Sequence, residues 1–409
     1  MKTRVAVFWG GRSPEHDVSI VTGLQALQAL DGDRFSSFPV YVAADGKWFT
    51  GDALRNRSNY LPNPTTLGSL ESVTLDLQPN IDGHGRLLPT KPPGMFSKSK
   101  PIEFDVALLA FHGLFGEDGR MQSLFEIANV PYTGMRPLAS SVLMDKAATK
   151  RILAETGIAT LPYAIIKRPA SGLLPSTEEV NRSIEDMAFP LIVKPSHLGS
   201  SIGVARATST EEIRGALSMI FRFDTHAIVE PLVENLVEYN LAVRNGKNGI
   251  VTSAIERPKS ERELLDFKAK YLSFKAKYLS GNGSKKTGSK QPGAISQGML
   301  SLTRELNPVL SNDLAVTLQK WGRKCFEVVE GTGAPRIDFL CNSQTAELWL
   351  NEVNPCPGSF GYFLWEVADE PLLFSELLSA LIEEAFTAQK SIQLPPDPTH
   401  PDARLFPRS

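Results

Sequence analysis

Residues 335–355, PRIDFLCNSQTAELWLNEVNP, read as two β-strands joined by a short polar turn. Strand alternation places Arg336 and Asp338 on one face of the first strand, and Glu352 and Asn354 on one face of the second. A hairpin turning at residues 342–345 brings those faces together, so that two carboxylates and an amide oxygen converge beside a guanidinium. Such an all-oxygen set suits Mg2+, which usually shares its ligands with substrate phosphates. The plainer reading is a solvated polar face with one Arg–Asp pair.

Upstream, FPLIVKP and SIGVARA are strands flanking the Gly/Ser turn HLGSSIGV at 197–204, EEIRGALSMI is a helix, and HAIVEPLV is another strand. Glycines in that turn allow close backbone approach, and its hydroxyls and N–H groups are able to cradle phosphate oxygens. It is not a Walker A loop, because no Lys-Ser/Thr closes it. The same residues match G-x-S-x-G through Ser201, which raises a serine hydrolase as a rival. A nucleophile elbow needs a helix directly after the serine, whereas Ile202 to Ala205 reads as continuing strand.

At the N-terminus, RVAVFW is a buried strand closed by Gly10-Gly11, followed by a helix with Ser13 as cap and Pro14 at its first position. FPVYVAADGKWF predicts two strands about a turn at Asp45-Gly46, and residues 51–101 lose periodicity and read as an excursion. DVALLAF is the next buried strand, and RMQSLFEIA and MDKAATKRILAETG are helical patterns. Farther on come YNLAVR, GIVTSAIE and a helix around DLAVTLQKWGRKCFEVV. Phe-Lys-Ala-Lys-Tyr-Leu-Ser occurs twice in succession, at 267–273 and 274–280.

A chain of 409 residues exceeds the size of one core, so roughly two to four domains are expected. With 42% hydrophobic and 22% charged residues, disorder of the whole chain is excluded. The net charge of −2, without a long basic block, argues against nucleic acid. No segment reaches a membrane-spanning length, and three cysteines without metal-ligand spacing fit a reducing compartment. A cytoplasmic location is expected. Cys356 has no neighbouring histidine to activate it and reads as a bystander thiol.

The segments WGGRSPEHDVS, FHGLFGEDG, VPYTG, LMDKAATK, VKPSHLGSSIGV, VEPLVENLVEYN, DFKAKYLS, PRIDF and NEVNPCPGS occur in this order. As an ordered set, to about residue 385, they make the chain resemble the D-alanine–D-alanine ligase family of the ATP-grasp superfamily. The resemblance implies a multidomain α/β (α+β) chain: an N-terminal α/β domain at 1–137, a small ATP-grasp domain at 138–235, a large one carrying the metal site at 236–390, and a loose tail at 391–409. It implies that ATP phosphorylates one D-alanine carboxylate and that the amine of a second D-alanine attacks the acyl phosphate. Positioning and charge neutralisation do most of such chemistry.

Residue by residue, the resemblance assigns Lys146 and Lys194 to the ATP phosphates, Glu230 and Glu238 to adenine and ribose, and Ser201 and Val233 to the same nucleotide site. Asp338, Glu352 and Asn354 match ligands of two Mg2+ ions, with Mn2+ as a substitute, and Arg336 matches the residue facing the transferred phosphate. Glu15 matches the carboxylate that meets the first substrate's ammonium and forms a latch with Ser200 and a loop tyrosine. Of the two heptapeptide copies, the first keeps the family's preceding Asp266, which favours Lys270 and Tyr271 over Lys277 and Tyr278. His112, Gly358, Ser359 and Leu364 fall to the D-alanine sites. Phe363 stands where many members carry a hydroxyl for the acceptor carboxylate, so D-lactate, D-serine or another acceptor remains an alternative, as does a nucleotide-binding homologue with weakened catalysis. A homodimer is implied by the resemblance alone.

Overall fold

Strand β1 (Thr3–Gly10) lies inside a seven-stranded sheet, with Val5 to Trp9 fully buried. It pairs in parallel with β2 (Phe35–Val42) on one side and β7 (Val106–Leu109) on the other. A run apolar on both faces is what such a doubly covered strand requires. On one face Val5, Val7 and Trp9 pack against helices α1 (His16–Ala29) and α9 (Phe374–Ile392); on the other, Ala6 and Phe8 pack with Phe104, Phe111 and Phe125. The structure is a computed structural model describing residues 1–60, 70–79, 83–90, 100–199, 202–259, 304–392 and 403.

Gly23 sets how closely α1 approaches this sheet, and Gly10 how closely the end of β1 passes β2. A Cβ on Gly23 would lie 2.5 Å from the Trp9 ring, and one on Gly10, at φ +98°, would lie 2.1 Å from the Val42 carbonyl oxygen. The helix begins later than the sequence suggests. Its N-cap is Glu15, and the Ser13 hydroxyl accepts from the Glu15 N–H at 3.1 Å instead of capping the helix, because Ser13 and Pro14 form the turn before it.

The expected excursion also needs correction. Residues 51–101 include β4 (Glu71–Leu75) and β5 (Gly85–Pro89), which with β3 (Trp48–Thr50) and β6 (Ile102–Phe104) extend the first sheet in antiparallel fashion. Strands β4 and β5 are only five residues each, so the alternation of Val73 and Leu75 is too short to stand out among the surrounding Pro, Gly, Ser and Asn.

Helices α2 (Arg120–Ile127), α3 (Pro137–Met144) and α4 (Lys146–Leu153) lead to a second sheet. Its order is β10–β9–β11–β8, from β8 (Ala164–Lys167), β9 (Leu191–Pro195), β10 (Ala205–Ala207) and β11 (His226–Pro231). Helices α5 (Thr177–Ser183) and α6 (Thr210–Ile220) bury Val180, Ile213 and Leu217 against Leu191, Val193, Ala227 and Val229.

In the third sheet, β12 (Leu236–Gly246) pairs with β13 (Gly249–Thr252), β14 (Glu256–Pro258) and β16 (Arg336–Asn342), with β15 (Arg304–Leu306) beyond β14 and β17 (Leu348–Asn354) at the other edge. Helix α7 (Asn312–Val328) covers it through Leu318 and Phe326 against Leu241, Val243 and Phe339. The chain then turns at Gly358–Gly361, enters the single helical turn α8 (Tyr362–Trp365), and returns through α9 to the first sheet.

Candidate active site

The hairpin of residues 336–354 forms, with one break in the alternation of its second strand at Asn351 and Glu352. Ile337, Phe339, Leu350 and Val353 enter the core, while Arg336 lies opposite Asn354 and Asp338 opposite Glu352. Arg336 holds Asp338 in a two-pronged contact, Nε to Oδ1 at 2.6 Å and Nη2 to Oδ2 at 2.7 Å, and Asn354 Nδ2 donates to Asp338 Oδ2 at 3.0 Å. Burial raises the Asp338 pKa; Arg336 opposes the rise, and Glu352 adds to it. The group most short of compensation is therefore a carboxylate beside a second carboxylate, which is the environment a divalent cation fits.

A bulge refines this geometry. The register steps between Asp338 and Phe339, leaving Asn351 without an opposite residue, so Asn351 and Glu352 are consecutive yet both stay out of the buried face. Each receives a different lysine: Lys194 Nζ donates to Asn351 Oδ1 at 2.7 Å, and Lys146 Nζ lies 3.0 Å from Glu352 Oε2. Burial would raise the Glu352 pKa, but Lys146 and Lys194 outweigh it and keep the carboxylate ionised.

The lysines come from two elements. Lys146 and Lys150 are one turn apart on α4, whose N-cap Asp145 accepts from the Ala147 and Ala148 N–H groups; Lys194 sits on β9. Glu230, on the adjacent strand β11 and 2% exposed, takes Lys150 at 2.7 Å on one oxygen and Lys194 at 2.7 Å on the other. Desolvation works against its charge, yet the two ammonium groups hold its pKa below the ordinary value. Glu238 is on β12 opposite Leu340, and Val233 lies between β11 and β12.

Glu15 is buried at the start of α1, between two loops. A Cβ on Gly113 would come within 2.5 Å of Glu15 Oε2, and one on Gly199 within 3.3 Å, which puts this carboxylate next to both the 112–113 turn and the turn beginning at His197. Glu117 braces the arrangement by accepting from Gly113 N at 2.5 Å and Cys356 N at 2.8 Å. Burial, followed by the charge of Glu15, pushes Glu117 up to about 8. His112 is buried and held neutral, with its pKa lowered to about 4 by desolvation, and its Nε2 is 2.8 Å from Thr22 Oγ1. The same hydroxyl accepts from Ser359 N at 3.1 Å, and Ser359 Oγ donates to Gln25.

Ser359 is thus tied to α1 in a turn where Ser359 and Phe360 both have positive φ, and Leu364 is fully buried with its carbonyl accepting from Ala254 N at 3.2 Å. Gly358 opens that turn. Beside it, Arg304 Nη1 pairs with Glu256 Oε1 at 2.9 Å while its guanidinium lies 4.3 Å from the Phe363 ring centroid. Burial, together with the charge of Glu117, raises the Cys356 thiol well above its ordinary pKa, in keeping with a bystander.

Ser200, Ser201, Lys270 and Tyr271 lie outside the described residues, as do Lys277 and Tyr278. After Ser201 the chain makes a turn, with Gly203 at φ +75°, and enters strand β10, so the helix that a nucleophile elbow needs is not there.

Sequence reasoning missed Lys150, Asn351, Glu117, Thr22 and Gln25. Lys150 was signalled by its four-residue spacing from Lys146, and Glu117 by its place in the glycine-flanked FHGLFGEDG. Asn351 was signalled by the break in the period at LWLNEV, where Asn351 and Glu352 stand together before the buried Val353.

Family profiles described as the D-ala D-ala ligase N-terminus and C-terminus match residues 4–135 and residues 152–293 and 302–383. A D-alanine–D-alanine ligase from Thermosipho africanus is 33% identical over 386 residues, covering 94% of each chain. Among solved structures, the D-alanine–D-alanine ligase of Coxiella burnetii superimposes with a TM-score of 0.71 at 23% identity, covering 95% of both chains. The VanG D-Ala:D-Ser ligase of Enterococcus faecalis gives 0.69 at 22%, covering 94% of this chain and 100% of that one. The fold is the ATP-grasp fold these ligases share, and the two profiles together with the full-length relative show that the chain belongs to the D-alanine–D-alanine ligase family.

Proposed function

We propose that the protein is an ATP-dependent ligase that joins two D-alanine molecules for peptidoglycan precursors. The observation that carries this reading is the facing pair Asp338 and Glu352, met by lysines from two other elements at Glu352 and Asn351. Phosphoryl transfer needs charge neutralisation and alignment more than covalent help, and this arrangement supplies both.

Asp338, Glu352 and Asn354 would hold Mg2+, which when bound neutralises phosphate charge. Lys146 and Lys194 hold phosphate oxygens, and Arg336, kept charged by Asp338 against its own burial, steadies the phosphoryl group as it moves to a D-alanine carboxylate. ADP leaves and a D-alanyl phosphate remains. Glu15 holds the ammonium of that first D-alanine, and neutral His112, whose ring is tied to Thr22 and to the Cys356 backbone, shapes the carboxyl site without adding charge. The amine of the second D-alanine, having lost a proton, attacks the acyl carbon, and inorganic phosphate departs.

A second acceptor is favoured by one observation, the Phe363 ring under Arg304 in place of a hydroxyl. The fold does not separate the two readings, since it is shared with a D-Ala:D-Ser ligase. ADP release measured with Mg2+, ATP and a panel of D- and L-amino acids plus D-lactate, with product mass determined, tests both. D-alanine-dependent release with a D-alanyl-D-alanine product is expected; turnover indifferent to every D-amino acid would overturn the proposal.

A further inference from the structure

We propose that His197 is a positioning residue for nucleotide binding: its doubly protonated ring, held between Asp145 and Asp224, staples together the elements that present Lys146, Lys150, Lys194 and Glu230. Both ring nitrogens face carboxylate oxygens, Nδ1 to Asp224 Oδ1 at 2.7 Å and Nε2 to Asp145 Oδ2 at 3.5 Å. A neutral imidazole has one N–H and leaves one of these contacts without a proton, whereas the imidazolium serves both.

What the two carboxylates otherwise hold makes the contact consequential. Asp145 caps α4 and accepts from Ser196 Oγ at 2.8 Å, while Lys146 N donates to Ser196 O at 3.1 Å. Asp224 accepts from the backbone N–H of His197 at 2.8 Å, of Thr225 at 2.6 Å and of His226 at 3.1 Å, at the point where β11 starts toward Glu230. His197 follows β9, which carries Lys194, by two residues. One residue past His197, the Leu198 carbonyl accepts from Lys146 Nζ at 2.7 Å. Loss of the ring's charge loosens α4, β9 and β11 at their common corner, and with them the wall of cations.

The titratable groups facing the ring are Asp145 from the N-cap of α4, and Asp224 and His226 from the junction of α6 with β11. The His226 ring stands edge-on at 5.6 Å, and its own pKa is lowered by burial and by the charge of His197. For His197 the Asp145 contact, then Asp224, outweighs desolvation and raises the pKa to about 9. The same three side chains, His197, Asp224 and His226, have ligand atoms close enough to hold a metal ion, which would need the ring deprotonated.

The inference rests on the proposed ligase reading only in taking ATP as the nucleotide, and calorimetric ADP affinity with Mg2+ separates the two. Full-length wild type, His197→Asn and His197→Arg are compared at about pH 7.5 and about pH 9.8, on either side of the ring's titration. Expected are a roughly tenfold weaker ADP affinity and higher ATP KM for His197→Asn at the lower pH, a wild type that approaches this value at the higher pH, and an arginine variant that holds tight at both. The D-alanine KM and kcat should move little. Unchanged affinity in His197→Asn, equal losses in every kinetic constant, or stoichiometric Zn2+ binding abolished by His197→Arg would each overturn the staple. If wild type binds ADP yet shows no D-alanine-dependent turnover, the ligase reading fails and the affinity comparison still decides on His197.

Discussion

Glu230 and Lys194 meet at 2.7 Å with side chains 2% and 8% exposed, and the same carboxylate takes Lys150 on its other oxygen. Two cations around one buried anion are stable only while that anion is present. Removing one member of a buried pair typically destabilises by about 3–5 kcal/mol. We therefore expect Glu230→Gln to lose stability on that scale in urea denaturation, even before activity is assayed. A loss under about 1 kcal/mol would mean that water or a bound anion reaches the lysines.

Asn351 is the unopposed residue of the β17 bulge, and its side-chain oxygen receives Lys194. The core face of the hairpin does not use it. Asn351→Ala should leave the melting temperature nearly unchanged while raising the ATP KM roughly tenfold, as expected for a lost hydrogen bond to a charged group. Steady-state kinetics alongside a thermal melt checks both halves, and a fall in stability without a KM change would make the bulge a structural device.

Gly23 lies against Trp9 with no room for a side chain. Gly23→Val should cost about 1–3 kcal/mol through overpacking. Because α1 also carries Thr22 and Gln25, which hold His112 and Ser359, the folded fraction should lose specific activity as well. Comparing activity per folded molecule with denaturation midpoints tests that coupling.

At the start of β1, Arg4 grips Asp105 through its guanidinium at 2.7 Å and through its backbone N–H at 2.7 Å. Burial alone would raise the Asp105 pKa, but the Arg4 contacts outweigh it and hold the carboxyl below its ordinary value. A carboxylate depressed in the folded state stabilises fully above its unfolded pKa, about 3.9, and loses that contribution as pH falls through the folded value. Asp105→Asn should therefore be less stable than wild type near neutrality, with the gap closing in acid. Melts from about pH 7 down to about pH 2.5 would show it, and parallel curves would refute it.

Much of this was readable in advance where a pattern has one physical solution. In PRIDFL the alternation puts Arg336 and Asp338 on one face, as the pleat has them, whereas LWLNEV breaks its alternation at Asn351-Glu352 and the bulge turns Glu352 toward Asp338; VAVFW is apolar throughout because both sides of β1 are covered. Legibility ended where structure comes from pairing. Strands β4 and β5 gain their place by hydrogen bonding to a sheet edge, which a short, mixed sequence does not advertise. Glu117 and Thr22 matter through contacts more than two hundred residues away along the chain, at Cys356 and Ser359, and no local spacing encodes such meetings.

Helix α9 completes the cover of the first sheet, with Leu377, Leu378, Leu381 and Ile382 resting among residues of β1 and α1. During synthesis, this sheet must wait with a greasy side uncovered until Phe374–Ile392, far downstream of β1, has been translated. A product broken off before α9 would thus be defective at β1 as much as at the break.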